Sequence, residues 1–444
     1  MSESIEPSFI PAAAWNREYR ERVADSGGES IAIEVRRGDT VVHRREEMVL
    51  RAASDKHAEN GRYVERIAKF LLWKEGGDNL RIEGADPLHN FVMRTFSPTG
   101  PRGFDHAFFS DIYSGSTDLG PSSLGGHRDG CRIGFDLGAS DRKCAAVKDG
   151  EVIHTEEVPW DPSRFRDPKE HYAGILDSLT RAAAHLPRVD AIGGSVAGVF
   201  AGDNLMMSSL FRGISPGLLR ASWPKMTREL REHFGGIPFQ AVNDGSVSAL
   251  AGADALGGRQ VLGLALGSSL AGGYVGDDGR ISQGINELAF VPIDYSTGAP
   301  VDEWSGDRGC AVQYLSQQGT ARMMDSVGLT AAPEALLRER LLRLQELMEA
   351  GDEKSARVFS MVGNALGHAI AHFSDFYPLR HVVLLGRVMT GSGGTSILNS
   401  AQNILASDYP SLKSVKLHVP DERERRHGQA VAAASLPALG GNGE

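Results

Sequence analysis

Near the middle of the chain, the apolar run FQAV ends on Asn243-Asp244, and a helical pattern, GSVSALAGADAL, follows directly. At such a strand-to-helix junction a carboxylate reaches into a cleft as a proton acceptor, while the neighbouring amide orients a ligand hydroxyl. The same two residues also suit a helix cap, where Asn and Asp are favoured. Two Gly/Ser turns flank this junction in sequence. Asp136-Leu-Gly138-Ala-Ser140 follows one strand, and Gly267-Ser268-Ser269-Leu-Ala-Gly272-Gly273 joins two others. Small residues in strand-flanked turns let backbone N–H groups and hydroxyls approach phosphate oxygens closely. Each turn taken alone is equally an ordinary hairpin connection. With Asp244 between them in sequence, the two turns make a pair able to grip one polyphosphate from two sides of a cleft.

Other chemistries fit less well. No GxxxxGK[ST] occurs, and the segment from Gly391 to Gly394 is not GxGxxG, so the nucleotide folds with those signatures lose support. GGSVAG around Ser195 has Ala197 where a hydrolase elbow needs its second glycine. His368 and His372 stand four apart on a helical pattern, but no third metal ligand accompanies them, and packing is the expected role.

The elements that must position these residues follow a β-to-α alternation from Cys131 onward. CRIGFDL, KCAAV and EVIHTEEV form a meander, a helical run from about Tyr172 to His185 follows, and VDAIGGSVAGVF is a further strand. QVLGLALGSSLAGGYVGDDGRIS begins a similar pattern again. Two long amphipathic helices and the short strand HVVLLG, with Gly386 at its end and Gly391 just beyond, lead to a terminal helix. Ahead of residue 131 the chain is less regular. Residues 1 to about 30 show no sustained period and depend on docking for order. SIAIEVRRGDTVVHRREEMV predicts a hairpin, and His57 to Lys74 predicts a helix with Tyr63, Ile67, Phe70 and Leu71 on one face. Residues 97 to 130, rich in Gly, Ser, Pro and Asp, read as a loop or linker.

A length of 444 residues implies more than one core. The net charge of -10 argues against broad attachment to nucleic acid or anionic lipid. Three cysteines without a CxxC pair suit a reducing compartment, and no apolar stretch spans a membrane, so a cytoplasmic location is expected.

Taken in order, these segments resemble the ROK group of repressors, open reading frames and sugar kinases, within the sugar-kinase and actin superfamily. The similarity covers about residues 131 to 437. FDLGASDRKCAAV is similar to the family's first phosphate turn, DxGGTK; VNDGSVSALAGA to the segment carrying its catalytic aspartate; LALGSSLAGGYV to the second phosphate turn; and VVLLGRVMTGSG to a Gly-rich nucleotide segment. The resemblance implies an α/β, two-lobed actin-like ATPase fold of duplicated ribonuclease H-like domains, with an additional N-terminal α+β segment. The first lobe would span 131–243 plus 425–444 and the second 244–424, with 1–130 as an extension. It implies Asp244 as the base and ATP and Mg²⁺ as cofactors, with Asp136 near the metal. Gly138, Ser140, Gly267, Ser268, Gly272, Gly386 and Gly391 would lie about the nucleotide, and Asn243, Glu287 and Gly198 about a sugar or polyol acceptor. INELAF is similar to the family's GExGH, with Phe290 in place of a zinc-binding histidine. EWSGDRGCAVQY is similar to CxCGxxGCLE, with Glu303 and Ser305 at cysteine positions and Val312 at a sugar-binding glutamate. No zinc is therefore expected. The extension shows a hairpin and one clear helix rather than a helix-turn-helix, so no nucleic-acid partner is expected. It would pack on a lobe, shape the cleft or build an oligomer such as a homodimer.

Overall fold

The computed structural model describes residues 8–51, 58–113, 124–282, 284–330 and 335–439, with the backbone alone over 422–426. The extension comprises α1 (Ala12–Ser26), β1 (Gly28–Arg37), β2 (Thr40–Leu50), α2 (Glu59–Glu75), β3 (Asn79–Glu83), α3 (Asp86–Thr95) and α4 (Gly103–Tyr113). Its antiparallel sheet has the order β2-β1-β3, with the expected turn at Gly38-Asp39 joining β1 to β2. The expected face of α2 is buried: Tyr63, Ile67, Phe70 and Leu71 are inside, and Phe70 stacks on Phe376 at 3.6 Å.

Two expectations about the extension are corrected. It contains four helices among the described residues rather than one. The segment expected to be a linker contains α4, whose Phe104, Phe108 and Phe109 gather around Trp73. The flanking Gly, Ser and Pro residues dominate the sequence pattern there, whereas tertiary burial of aromatics stabilises the helix. Residues 12–26 are likewise polar by pattern yet helical, because Trp15, Tyr19 and Tyr63 form a ring stack that docks α1 on α2.

The next unit holds β4 (Cys131–Leu137), β5 (Asp141–Lys148), β6 (Glu151–Pro159), α5 (Pro168–Ala183), β7 (Ala191–Val196), β8 (Val199–Ala201), β9 (Asn204–Met207), α6 (Pro216–His233) and β10 (Phe239–Asn243). Its five-stranded sheet runs β10-β7-β4-β5-β6, with β10, β7 and β4 parallel and the β4-β5-β6 meander antiparallel. The last unit holds α7 (Asp244–Leu256), β11 (Val261–Leu266), β12 (Leu270–Val275), α8 (Gln317–Ser326), α9 (Leu337–Glu349), α10 (Glu353–Phe373), β13 (His381–Leu385), α11 (Gly391–Asp408) and β14 (Lys416–His418), and α12 (Glu422–Ala433) follows it. Its sheet runs β12-β11-β13-β14, again an antiparallel hairpin followed by parallel strands. This repeated arrangement is the duplicated actin-like architecture.

Helix α12 returns to the first sheet and lies directly on β4 and β7. A Cβ on Gly134 would stand 1.7 Å from the Ala430 carbonyl oxygen, and one on Gly193 1.7 Å from that of Ala433. Glycine is therefore required at both positions for backbone to meet backbone. The extension packs on the second lobe, where its aromatic residues and those of α10 share one continuous core. Among the described residues no helix is long and apolar enough to cross a membrane.

Candidate active site at the junction of the sheets

The parallel register of the first sheet aligns Asp136 on β4 with Ser195 on β7, and Ser195 with Val242 on β10. The chemistry-bearing residues thus collect at the carboxyl ends of adjacent parallel strands, where open α/β sheets bind ligands. Ser195 Oγ donates to Asp136 Oδ1 at 2.7 Å. Lys143 Nζ stands 3.8 Å from Asp136 Oδ2 and 3.3 Å from Asp141 Oδ1. From α12, the Gln429 amide satisfies its neighbours with its nitrogen 3.1 Å from Asp136 Oδ2 and 3.2 Å from Oδ1, and its oxygen toward the Ser248 hydroxyl on α7. Burial still pushes the Asp136 carboxyl above its ordinary range, against the pull of Lys143 and Ser195.

Asp244 is the first residue of α7. Asn243 caps the helix, accepting from Gly245 N at 2.7 Å, and donates through Nδ2 to the Gly198 carbonyl at 2.8 Å. Its amide is locked between two backbone groups, and the lock fixes where Asp244 emerges. Burial and the neighbouring Asp136 push Asp244 up to about 6. Burial and Asp244 in turn push Glu287 up to about 8. Asp136 thus raises Asp244, and Asp244 raises Glu287, through their charges, so the proton affinities of the three carboxyl groups are linked.

The two turns differ. At the first, Gly138 N donates to Asp141 O at 2.9 Å and Ser140 Oγ to Asp141 Oδ2 at 2.9 Å, while Trp160 holds the Gly138 and Ser140 carbonyls. At the second, Gly267 is open, since an added Cβ would meet nothing nearer than Ser269 O at 3.6 Å, and Ser268 is exposed. Gly386, with φ of 93°, abuts the Leu266 carbonyl and so brings the end of β13 against this turn. Gly391 begins α11, where Ser392 donates through N and Oγ to Glu349 Oε1 at 3.1 and 2.7 Å. Gly272 stands inside β12 rather than in the turn. Its missing side chain admits Leu288, and its carbonyl meets the start of α7 at Gly245.

Glu287, Asn243 and Gly198 line one cavity of about 70 Å³. The Glu287 segment is seated by the extension: Asn286 N and Glu287 N donate to the carbonyls of Lys74 and Trp73 at the end of α2, each at 3.0 Å. Phe290, which stands at a histidine position of the resembled motif, stacks on Trp73 at 4.3 Å. Farther along, Asp307 is held by Lys69 at 2.8 Å, Arg66 at 2.9 Å and Arg102 at 2.5 Å. Ser305 donates through N and Oγ to Asp302 Oδ2, each at 2.7 Å, and Cys310 is buried. Among the described residues no group of three or more His, Cys, Asp or Glu side chains is placed to hold a metal ion. His372 is buried edge-on to Phe70, and His368 bonds Tyr409. Ser195, Lys143 and Gln429 are the site residues to which sequence reasoning assigned no role. Ser195 carried a signal in its glycine-flanked strand, whereas Gln429 approaches only through the path of α12.

No model of a known protein family matches the chain, and no curated protein matches it. Solved structures do. The ROK hexokinase from Thermus thermophilus superposes with a TM-score of 0.54 at 19% identity, covering 68% of this chain and 96% of that one. A ROK family transcriptional regulator homologous to the E. coli MLC protein gives 0.53 at 18% identity, covering 69% and 78%. A ROK family protein from Streptococcus pneumoniae, solved with sucrose, gives 0.50 at 13%, covering 69% and 96%. With its two sheets built on one pattern and joined at Asp244, the chain has the two-lobed, actin-like fold of the ROK sugar kinases and regulators.

Proposed function

We propose that the chain is a phosphotransferase of the ROK sugar-kinase type, acting in the cytoplasm on a hydroxyl of a sugar or sugar-like polyol. The observation that carries this reading is Asp244 itself: a carboxyl group at the first position of α7, next to the Asn243 that lines the Glu287 cavity, and pushed up to about 6 by burial and by Asp136. A base titrating there is ionised at neutral pH yet basic enough to take a proton. The donor set also fits the expected cofactor. Asp136 offers a hard oxygen ligand for Mg²⁺, and the Gly267-Ser268 turn offers space and, at the exposed Ser268, a hydroxyl donor for phosphate, the Gly267 N–H being held by Ser269 O at 2.9 Å. Bound Mg-ATP supplies the transferable phosphoryl group and screens its charge. The acceptor hydroxyl would lose its proton to Asp244 as its oxygen forms the new bond to phosphorus and the bond from that phosphorus to the bridging oxygen breaks, with ADP as leaving group. Glu287 orients the acceptor, and Asn243 keeps Asp244 aimed at it. Ser140 and Gly138 contribute less than the resemblance implies, because their donors are spent on Asp141. Gly386 and Gly391 shape the nucleotide side.

That closed first turn favours one other reading, a non-catalytic sugar or metabolite sensor on the same fold. One assay separates the two: ADP release from Mg-ATP across hexoses, amino sugars and cyclitols, with Asp244→Asn alongside. Stimulation by an acceptor that vanishes in the variant establishes the kinase. Silence across the panel, with ligand-induced thermal stabilisation, establishes the sensor.

A further inference from the structure

The cavity beside Glu287 is not built by the two lobes alone. Arg37, at the end of β1, and Tyr113, the last residue of α4, line it together with Gly198, Gln240, Asn243 and Glu287. Both extension residues are held firmly. Arg37 donates through Nε to the Gly76 carbonyl and through Nη2 to that of Glu75, each at 3.0 Å, a cation at the negative end of α2. Its guanidinium lies 4.4 Å from the Tyr113 ring centre. Tyr113 fits there because residue 76 is glycine: φ is 75°, and a Cβ would stand 2.2 Å from the Tyr113 hydroxyl.

Tyr113 is 2% exposed as a residue, its hydroxyl does not belong to the fully buried unpartnered atoms of the described residues, and the ring lines the chamber. The Glu287 carboxyl makes no side-chain hydrogen bond among the described residues, and it lies close enough to Tyr113 to push the phenol up beyond the effect of burial. Tyr113 and Glu287 therefore line one small chamber. Its volume is well below the roughly 300 Å³ at which pockets for larger ligands begin, so it suits a small polyol or one end of a larger one.

We propose that the extension completes the acceptor site, with Tyr113 as an acceptor-contact residue whose hydroxyl, together with Glu287, recognises a hydroxyl group of the polyol. This rests on the kinase reading for the identity of the ligand as an acceptor, and not for the existence of the site. Arg37 acts through Tyr113, fixing its ring. A hydroxyl of the acceptor is then selected by a segment that lies outside both lobes.

Glucose, N-acetylglucosamine and myo-inositol, titrated by calorimetry into the full chain and into Tyr113→Phe, test this. Tyr274→Phe serves as control, since the Tyr274 hydroxyl is engaged by the Pro378 carbonyl. Loss of one hydrogen bond predicts about tenfold weaker binding of the preferred compound by Tyr113→Phe. Mg-AMPPNP affinity and melting temperature are expected to stay as in the unsubstituted chain. Unchanged polyol affinity in Tyr113→Phe, or an equal loss in the control, overturns the assignment. Binding without ADP release overturns the kinase reading alone, and no binding of any of the three compounds by the unsubstituted chain overturns both.

Discussion

Asp307 accepts an ion pair from Lys69 across the join between the extension and the second lobe, Nζ to Oδ2 at 2.8 Å, with neither side chain more than 2% exposed. The same ammonium reaches Asp105 on α4 at 3.1 Å. One buried cation thus links α2, α4 and the loop that follows Glu287. Removing one member of a buried pair strands the other, which costs more than the pair contributes as a whole. Lys69→Met is expected to destabilise the protein by about 3 kcal/mol or more in denaturant titration. A loss below about 1 kcal/mol would mean that Arg66 and Arg102 hold Asp307 without it.

The same cluster predicts an acid limit. Burial alone would raise the Asp307 carboxyl, but Lys69, Arg66 and Arg102 hold it far below its ordinary value of 3.8. A depressed carboxyl contributes stability that is full above its unfolded pKa and is lost as pH falls through the folded one. Loss of stability should therefore steepen below about pH 4. Asp307→Asn should flatten that limb, as followed by tryptophan fluorescence against pH.

Asp244→Asn is expected to lower acceptor-dependent turnover by at least about 10²- to 10⁴-fold with the fold intact. In the unsubstituted chain turnover should rise with pH through about 6, where Asp244 ionises. A flat profile across that range would remove Asp244 as the base.

Glu287 carries the opposite linkage sign from Asp307. Its folded pKa is raised from 4.5 to about 8, so the native state binds the extra proton and stability falls as pH rises through that window. Glu287→Gln should then melt higher than the unsubstituted chain at pH 8, by about 1–2 °C, with the gap closing toward pH 5. An equal gap at both pH values would place the Glu287 carboxyl in a solvated setting.

Gly193→Ala would push a methyl group to 1.7 Å from the Ala433 carbonyl. The expected cost is about 1–3 kcal/mol, from displacement of α12. Because α12 carries Gln429 to Asp136, Mg-AMPPNP affinity should fall with stability. Loss of stability alone would separate the helix seat from the site.

Much of this was legible in the amino-acid sequence. The alternation of meander, helix and apolar strand from Cys131 marked a layered α/β fold, because side-chain period follows local backbone geometry. The strand end at Asn243 and the helix start at Asp244 were equally local. The helices α1 and α4 were not legible. Their polar or Gly-flanked sequences gain helical order from aromatic burial against Trp73, Tyr63 and α10, contacts that no local window contains.

By itself, then, the sequence determined the element types, the repeated order of turns and the candidate base, since each rests on residues a few positions apart. Tertiary structure alone decided that Gln429 reaches Asp136 from 293 positions away, that Phe290 and Asp307 dock on α2, and that Tyr113 enters the Glu287 cavity. Such contacts depend on how whole elements pack, and burial rather than spacing sets both the proximity and the proton affinities that chemistry requires.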